Sequence, residues 1–300
     1  MATQIELRQQ ITNSIVESLK SGRVPFWRKP WCDDLNAGVH TSLSTGNPYR
    51  GINQLLLLLS AETQGFRSRW WGSYNQIRNA GASVRKGQKG TTVTLYKPVK
   101  RTRVDQAGKE VDDKFCIMRS YTVFNVEQTN GMPQFEIGTG PTEMVDHEKF
   151  SIVDALIAAA GVKVLHGGNR ASYSIKEDLI RMPNRNQFGT ASCHAETLLH
   201  EGVHATEHPK RLNWDQDQPY AFNELIAEIG SCFLMSNLGL PLHQGWDNHV
   251  AYLGSWLKAM DSDSKWIFKA AAQASRACDF LMSVYQATAI KNESSVVAVA

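Results

Sequence analysis

The stretch TLLHEGVHATEHPKRLN, Thr197 to Asn213, decides how this chain is read. It contains the pattern His-Glu-x-x-His. Residues four apart on a helix share a face, so His200 and His204 can direct their imidazoles at one ion while Glu201 sits close enough to hold a water. Two ligands and a base leave the site open, and the next step is to find a third donor.

The segment YAFNELIAEIGSCF, Tyr220 to Phe233, supplies it. Glu224 and Glu228 lie one turn apart on an apolar helix, among Phe222, Leu225, Ile226 and Ile229. Carboxylates there are costly to bury without a cation or hydrogen-bond partners. The expectation is a two-histidine, one-glutamate zinc site made of His200, His204 and Glu224, with water in the fourth position. Glu228 then accepts a hydrogen bond from a ligand imidazole; the reverse assignment, with Glu228 as ligand and Glu224 in support, fits the spacing equally. Zinc follows from the ligand types, and manganese or cobalt suits the same donors. If the site is catalytic, Glu201 is the general base. The segment DLIRMPNRNQF, Asp178 to Phe188, is expected as the edge strand along which an extended peptide lies. His243, His249 and Tyr252 are candidate donors to a transition state.

Working outward, helices are expected at 148–160, 195–207 and 221–238, with two more after Val250 and short strands near VKVLHG and DLIRMP. Upstream, QTNGMPQFEIGTGPT collects Gly, Pro and Thr without periodicity and reads as a linker. The expected organisation is a first domain over 1–130, a linker over 131–144 and a second domain over 145–300.

The first domain begins with an amphipathic helix, Leu7, Ile11, Ile15 and Leu19 being four apart. RVPFWRKPWCDD follows as a loop, because two prolines break the helix around Trp27 and Trp31, which stand beside Arg28 and Lys29. A helix is expected over 53–63. WWGSYNQIRNAG is expected as a short helix ended by Gly81, and strands flank the Lys-Gly-Gln-Lys-Gly turn and a polar turn at 105–109. The fold class is therefore α+β: helices followed by a small antiparallel sheet, then a mainly helical part with its own small sheet.

Charge divides the chain in the same way. Residues 1–140 hold 19 Lys+Arg against 11 Asp+Glu, and residues 141–300 hold 13 against 18, so the first part is basic and the second acidic. A basic part rich in aromatics suits single-stranded nucleic acid, whose phosphates take the charge and whose bases stack on rings. The expected contacts are Arg50, Trp70, Trp71, Tyr74, Arg78, Arg85, Lys86 and Lys89, with Gly87 and Gly90 letting a phosphate approach the backbone. No element reads as a recognition helix, so binding without regard to sequence is expected.

Composition excludes several other classes. Five cysteines, odd in number and without a C-x-x-C pair, argue against a disulfide framework or a cysteine zinc site. The longest purely apolar run, Leu55 to Leu59, is far short of a membrane span, and the N-terminus lacks the apolar core of a signal peptide. A cytoplasmic location with no membrane partner is expected.

STGNPYRGINQLLLL, RWWGSYNQIRNAGASVRKGQKGTTV and YTVFNVEQT resemble the N-terminal domain of ArdC-type antirestriction proteins, which some conjugative-plasmid primases share. TLLHEGVHATEHPKRLN, YAFNELIAEIGSCFL and AYLGSWLKAMDSDSKWIFKAAAQASRACDFL resemble the zincin-like metallopeptidase domain that follows it in that family. The resemblance implies a plasmid- or phage-associated protein that binds single-stranded DNA, protects incoming DNA from host restriction, and is transferable to the recipient cell during conjugation. It places the metal motif on His200, Glu201, His204 and the 224–228 segment. The alternative it leaves is an active metalloprotease that the DNA-binding part directs at a restriction enzyme or another host protein. Many relatives read His-Glu-Leu-Gly-His, whereas Gly202 and Val203 stand here; a helix-interior glycine costs about 1 kcal/mol relative to alanine and leaves the ligand spacing intact.

Overall fold

The first helix, α1 (Gln4–Lys20), starts on a capping box: the Thr3 hydroxyl accepts from the Glu6 N–H, and the Glu6 carboxylate accepts from the Thr3 N–H. Its face of Ile11, Ile15, Val16 and Leu19 is buried. The computed structural model describes residues 3–21, 27, 36, 38–104, 110–135, 147–215, 217–241 and 250–297. Trp31, with Arg28 and Lys29, the polar turn at 105–109, and most of the expected 131–144 linker lie outside these residues, as do His243 and His249. Trp27 is described and is buried in the core.

A four-stranded sheet is ordered β1 (Thr41–Ser42), β2 (Trp70–Ser73), β5 (Glu110–Asn125), β4 (Thr91–Val104). The tryptophan pair therefore opens a strand and not a helix, with Trp71 opposite Ser42 on one side and Asn125 on the other. The following helix, α3 (Tyr74–Asn79), begins only after Ser73, whose hydroxyl accepts from the Gln76 N–H while Gln76 Oε1 accepts from the Ser73 N–H. The Lys-Gly-Gln-Lys-Gly turn does not close a hairpin. The strand before it, β3 (Ser83–Val84), pairs with β6 (Thr129–Asn130), so the turn carries the chain from one sheet to the other. Gly87 in this turn has φ +84°, whereas Gly90 is required by packing, since a Cβ there would fall 2.3 Å from the Thr122 methyl.

Helix α2 (Ile52–Gln64) covers the edge strand β4. The Asn53 amide donates to the Thr94 carbonyl at 2.7 Å and accepts from the Thr94 N–H at 2.7 Å, so a side chain pairs with the strand edge there.

The second part supplies α4 (His147–Ala159), a three-stranded sheet of β7 (Lys163–His166), β8 (Ser172–Ser174) and β9 (Leu179–Met182), then α5 (Ala191–Ala205), α6 (Tyr220–Asn237), α7 (Val250–Ser262) and α8 (Trp266–Val297). The sheet order is β7-β9-β8, with β9 parallel to β7 and antiparallel to β8. Strand β9, expected at the edge, is thus central. Its alternation of buried Ile180 and Met182 with exposed Arg181 fits a paired strand as well as an edge one, so periodicity alone cannot place it. The edges are β7, parallel to β9, and β8, antiparallel to it.

The α+β class holds throughout. One large apolar core includes Ile15 of α1, Leu55 of α2 and Met118 of β5 together with Leu156, Leu199, Ile229, Trp256 and Ala274 from α4 to α8. No described helix is long and apolar enough to cross a membrane.

Candidate metal centre

Helix α5 is capped by Thr190, whose hydroxyl accepts from the Cys193 N–H, and it runs with Leu198, Leu199 and Val203 in the core. His200 and His204, each one residue or about 100° round the helix from Leu199 and Val203, then flank the same contact with α6 and meet Glu224 there. The two helices approach closely because α6 carries Gly230 at the crossing: a Cβ there would lie 2.9 Å from a Val203 methyl. On the other flank, a Cβ on Gly202 would lie 2.3 Å from Ile157 Cδ1, so this glycine admits α4. The departure from His-Glu-Leu-Gly-His is thereby accounted for by helix packing.

The crossing brings together donor atoms of His200, His204 and Glu224, all within 4.8 Å of one another. His204 Nε2 lies 3.3 Å from Glu224 Oε1, and His200 Nε2 lies 3.6 Å from Glu224 Oε2. Tetrahedral ligands at bonds of ~2.0–2.1 Å are separated by roughly 3.3–3.4 Å, so this triangle has the size a divalent ion needs. Glu196, Glu201, Glu224 and Glu228 are all buried, and with Glu207 they line one cleft of about 780 Å³. Five carboxylates around a shared space favour a cation. The donor set and its charge therefore fit a divalent metal.

Glu228 lines the cleft, fully buried, but stands outside the converging triad. The carboxylate on His204 Nδ1 is Glu207, at 2.6 Å. Sequence reasoning missed Glu207, although its place three residues after His204 was a visible signal. Burial disfavours charge on His204, but the hydrogen-bonded carboxylates of Glu207 and Glu224, with Glu201 nearby, outweigh it and push the imidazole up to about 10. Burial likewise disfavours charge on Glu224, and the two imidazoles overcome it, holding this carboxyl well below its usual range. Tyr220, the first residue of α6, was also missed. Burial and hydrogen bonds to Glu224 and Tyr252 raise its phenol, which stays neutral. Tyr252 lines the cleft beside it, ring centroids 5.9 Å apart.

Edge strand β8 completes the cleft, since Ser172 and Tyr173, with Ala171 just before them, line the same wall. It is clamped from below: Arg211 donates to the Ala205 carbonyl and to the Tyr173 hydroxyl, and it pairs with Asp178, which turns the chain from β8 to β9 at φ +51°.

The expected DNA contacts are distributed differently from their sequence order. Trp71 is 0% exposed and packs in the core against His40, whose Nδ1 accepts from the indole N–H, so its face is closed to a base. Trp70 is half-buried, its indole donating to Asn36 and its ring under the Arg69 guanidinium. Arg85 is spent on the carbonyls of Thr129 and Glu127, and Arg50 pairs with Asp279 of α8. Tyr74, 56% exposed, remains on the surface with Arg78, Lys86 and Lys89.

A helix bearing both histidines and the glutamate, a second helix delivering the third donor, and a small sheet whose antiparallel edge borders the cleft define a zincin-like metallopeptidase domain, here sharing a core with a basic α+β part. In comparison with known proteins, residues 5–124 match the N-terminal domain of anti-restriction factor ArdC, and residues 151–273 match a zincin-like metallopeptidase. The chain belongs to the ArdC family of antirestriction proteins. It resembles the crystal structure of antirestriction protein ArdC from plasmid R388 in its metal-free form, with TM-score 0.78 and 37% identity over 94% of this chain and 98% of that one. The Mn(II)-bound form of the same protein gives TM-score 0.74 and 36% identity over 93% and 98%. The uncharacterised protein y4eC of Sinorhizobium fredii (strain NBRC 101917 / NGR234) is 30% identical over 97% of this chain and 96% of its own length. DNA primase TraC of Escherichia coli is 36% identical over 93% of this chain, which spans only 27% of that protein.

Proposed function

We propose that this chain is an antirestriction protein that binds single-stranded DNA without regard to sequence and carries a zinc-dependent peptidase centre. The observation that carries the reading is the convergence of His200, His204 and Glu224 beside buried Glu201, in a cleft bordered by the edge strand β8. A divalent ion held by those three residues supplies Lewis-acid polarisation of a carbonyl and acidifies a water. Glu201 takes the proton of the attacking water and returns it to the leaving amine. Tyr220, a neutral phenol at the mouth, donates to the carbonyl oxygen as negative charge develops there. An extended peptide adds to the free edge of β8, the strand that takes the role expected of the Asp178–Phe188 segment.

The DNA reading is supported by the basic balance of residues 1–140 and by the surface group of Tyr74, Arg78, Lys86 and Lys89. Host cytoplasm, or the recipient cell after conjugation, is where such a protein meets incoming single strands. The experiment is protection of unmodified incoming DNA by wild type and by Glu201→Gln, with intact and cleaved restriction enzyme measured in parallel. Loss of both cleavage and protection in the variant supports the peptidase as the working centre. Protection that survives Glu201→Gln unchanged would leave DNA binding as the mechanism and sink the proteolytic step.

A further inference from the structure

A second cleft, of about 500 Å³, lies where α2 and β4 face α8. Its chemistry is the reverse of the metal cleft: Arg8, Arg50, Lys265, Lys269 and Arg276 line it against a single carboxylate, Asp279, which is paired with Arg50. Three of these cations come from the acidic half of the sequence, where the charge balance gave no reason to look for them.

Lys265, just before α8 and accepting at its carbonyl from the Lys269 N–H, continues a row of positions on that helix. Lys265, Lys269, Ala272 and Arg276 recur every three or four residues along one face, and at 1.5 Å per residue the row runs roughly 16 Å. That is too long for one phosphate and suits the successive phosphates of a polyanion. The floor is closed by contact between the start of α2 and α8, where the Gly51 N–H donates to the Ser275 hydroxyl at 2.8 Å. The wall carries a ring: Tyr96 of β4 is 44% exposed. Phe268, beneath, is covered by Arg8, whose guanidinium lies 6.0 Å from the ring centroid. Lys269 has a long contact of 3.9 Å to Asp263, an exposed pair of little strength. Cations in a row beside a half-exposed ring are the pairing that single-stranded nucleic acid requires.

We infer that this cleft seats a segment of single-stranded DNA, with phosphates along Lys265, Lys269 and Arg276 and a base on Tyr96, so that the DNA site is built jointly by both halves. The inference rests on the DNA reading proposed above. It also puts the strand on α8, which packs on the metal-bearing α6.

The test uses the full chain with fluorescein-labelled dT15 in a salt series, for wild type, Lys269→Ala/Arg276→Ala, Tyr96→Ala and, on the other surface group, Lys86→Ala/Lys89→Ala. All the changed side chains are exposed, and a thermal melt checks each fold. The cleft double variant is expected to bind at least tenfold more weakly at low salt, with the log–log salt slope reduced by roughly 1.4, two phosphate contacts at about 0.7 each. Tyr96→Ala is expected to lose about tenfold with the slope unchanged, as stacking involves no counterions. Wild-type binding with unaltered affinity and slope in both cleft variants overturns the cleft while leaving the DNA reading in place. Absence of dT15 binding by the wild-type chain overturns the DNA reading and the cleft with it.

Discussion

His204 sits between two carboxylates, Glu207 on Nδ1 and Glu224 on Nε2, and this placement sets its proton chemistry. In the metal-free chain its raised value, about 10, keeps the ring protonated at neutral pH. A metal needs a bare nitrogen, so loading releases that proton, and apparent affinity should rise close to tenfold per pH unit from about 7 toward 10. Calorimetry in buffers of differing ionisation enthalpy measures the release; zero protons displaced at pH 7 would contradict the geometry. The stability linkage has the matching sign. A raised imidazole value stabilises the metal-free fold fully below the ordinary histidine range, and that contribution is lost as pH climbs through about 10. Glu207→Gln keeps a hydrogen-bond acceptor but removes the charge, and is expected to weaken metal binding about 10- to 100-fold in a chelator competition assay. At this scale the pairing of His200 with His204 was legible because helix periodicity fixes it, whereas Glu224 and Glu228, one turn apart on the same helix, were interchangeable as third donor until the donor atoms of Glu224 were placed beside the imidazoles. The tryptophans were not legible: composition shows that rings and cations are near in sequence, while the face each one takes depends on strand pairing, which buries Trp71.

Gly230 and Gly202 decide how helices meet, and the two should respond differently to alanine. Each substitution gains about 1 kcal/mol of helix propensity. At Gly230 the new methyl meets Val203 at 2.9 and 3.1 Å through both γ-carbons, and a β-branched side chain in a helix has one strongly preferred rotamer. Helices α5 and α6 must separate, so Gly230→Ala is expected to destabilise by about 1–3 kcal/mol and to loosen the triad, lowering metal affinity as well as Tm. At Gly202 the obstacle is the far end of Ile157, which can rotate, and the cost should be smaller. Equal melting temperatures for Gly230→Ala and wild type would remove the argument. Strand β8 offers the second prediction at this scale. Arg211 has a side chain 5% exposed and holds both Asp178 and Tyr173; Arg211→Met removes these anchors and leaves Asp178 without its strongest partner. The expected result is a rise in KM for a peptide substrate with metal affinity retained, because the edge and not the triad is released. The helices of the second part were legible from their apolar periodicity. The strand order was not, because alternation identifies a strand without saying which neighbours it has.

The whole molecule departs from two independent domains in one physical respect: its main core is common property. Ile11, Ile15 and Leu19 of α1 and Leu55 of α2 are buried in the same cluster as Leu199, Ile229 and Trp256, and the Thr12 hydroxyl donates to the Ser264 carbonyl at 2.9 Å. The Gly-, Pro- and Thr-rich stretch suggested a linker at 131–144 and the charge asymmetry suggested two domains, but loop composition and surface charge carry no information about where apolar faces dock. Residues 1–130 alone would therefore expose the apolar faces of α1 and α2, and a fragment of that length is expected to lose helix and self-associate, as far-UV circular dichroism and gel filtration would record. The same coupling makes the metal a stabiliser of the whole chain. At 100 times its Kd, a ligand that binds only the folded state contributes about 2.7 kcal/mol, which for a large domain is a Tm shift of roughly 5–10 °C. Chelation should lower the melting temperature by that amount in a single transition, with tryptophan fluorescence and circular dichroism moving together. If the halves fold independently, metal removal shifts only the transition that contains α5 and α6, and the basic part melts where it did before. Two separated transitions would thus refute the shared core, and with it the idea that DNA held on α8 and metal held on α6 are felt by one cooperative structure.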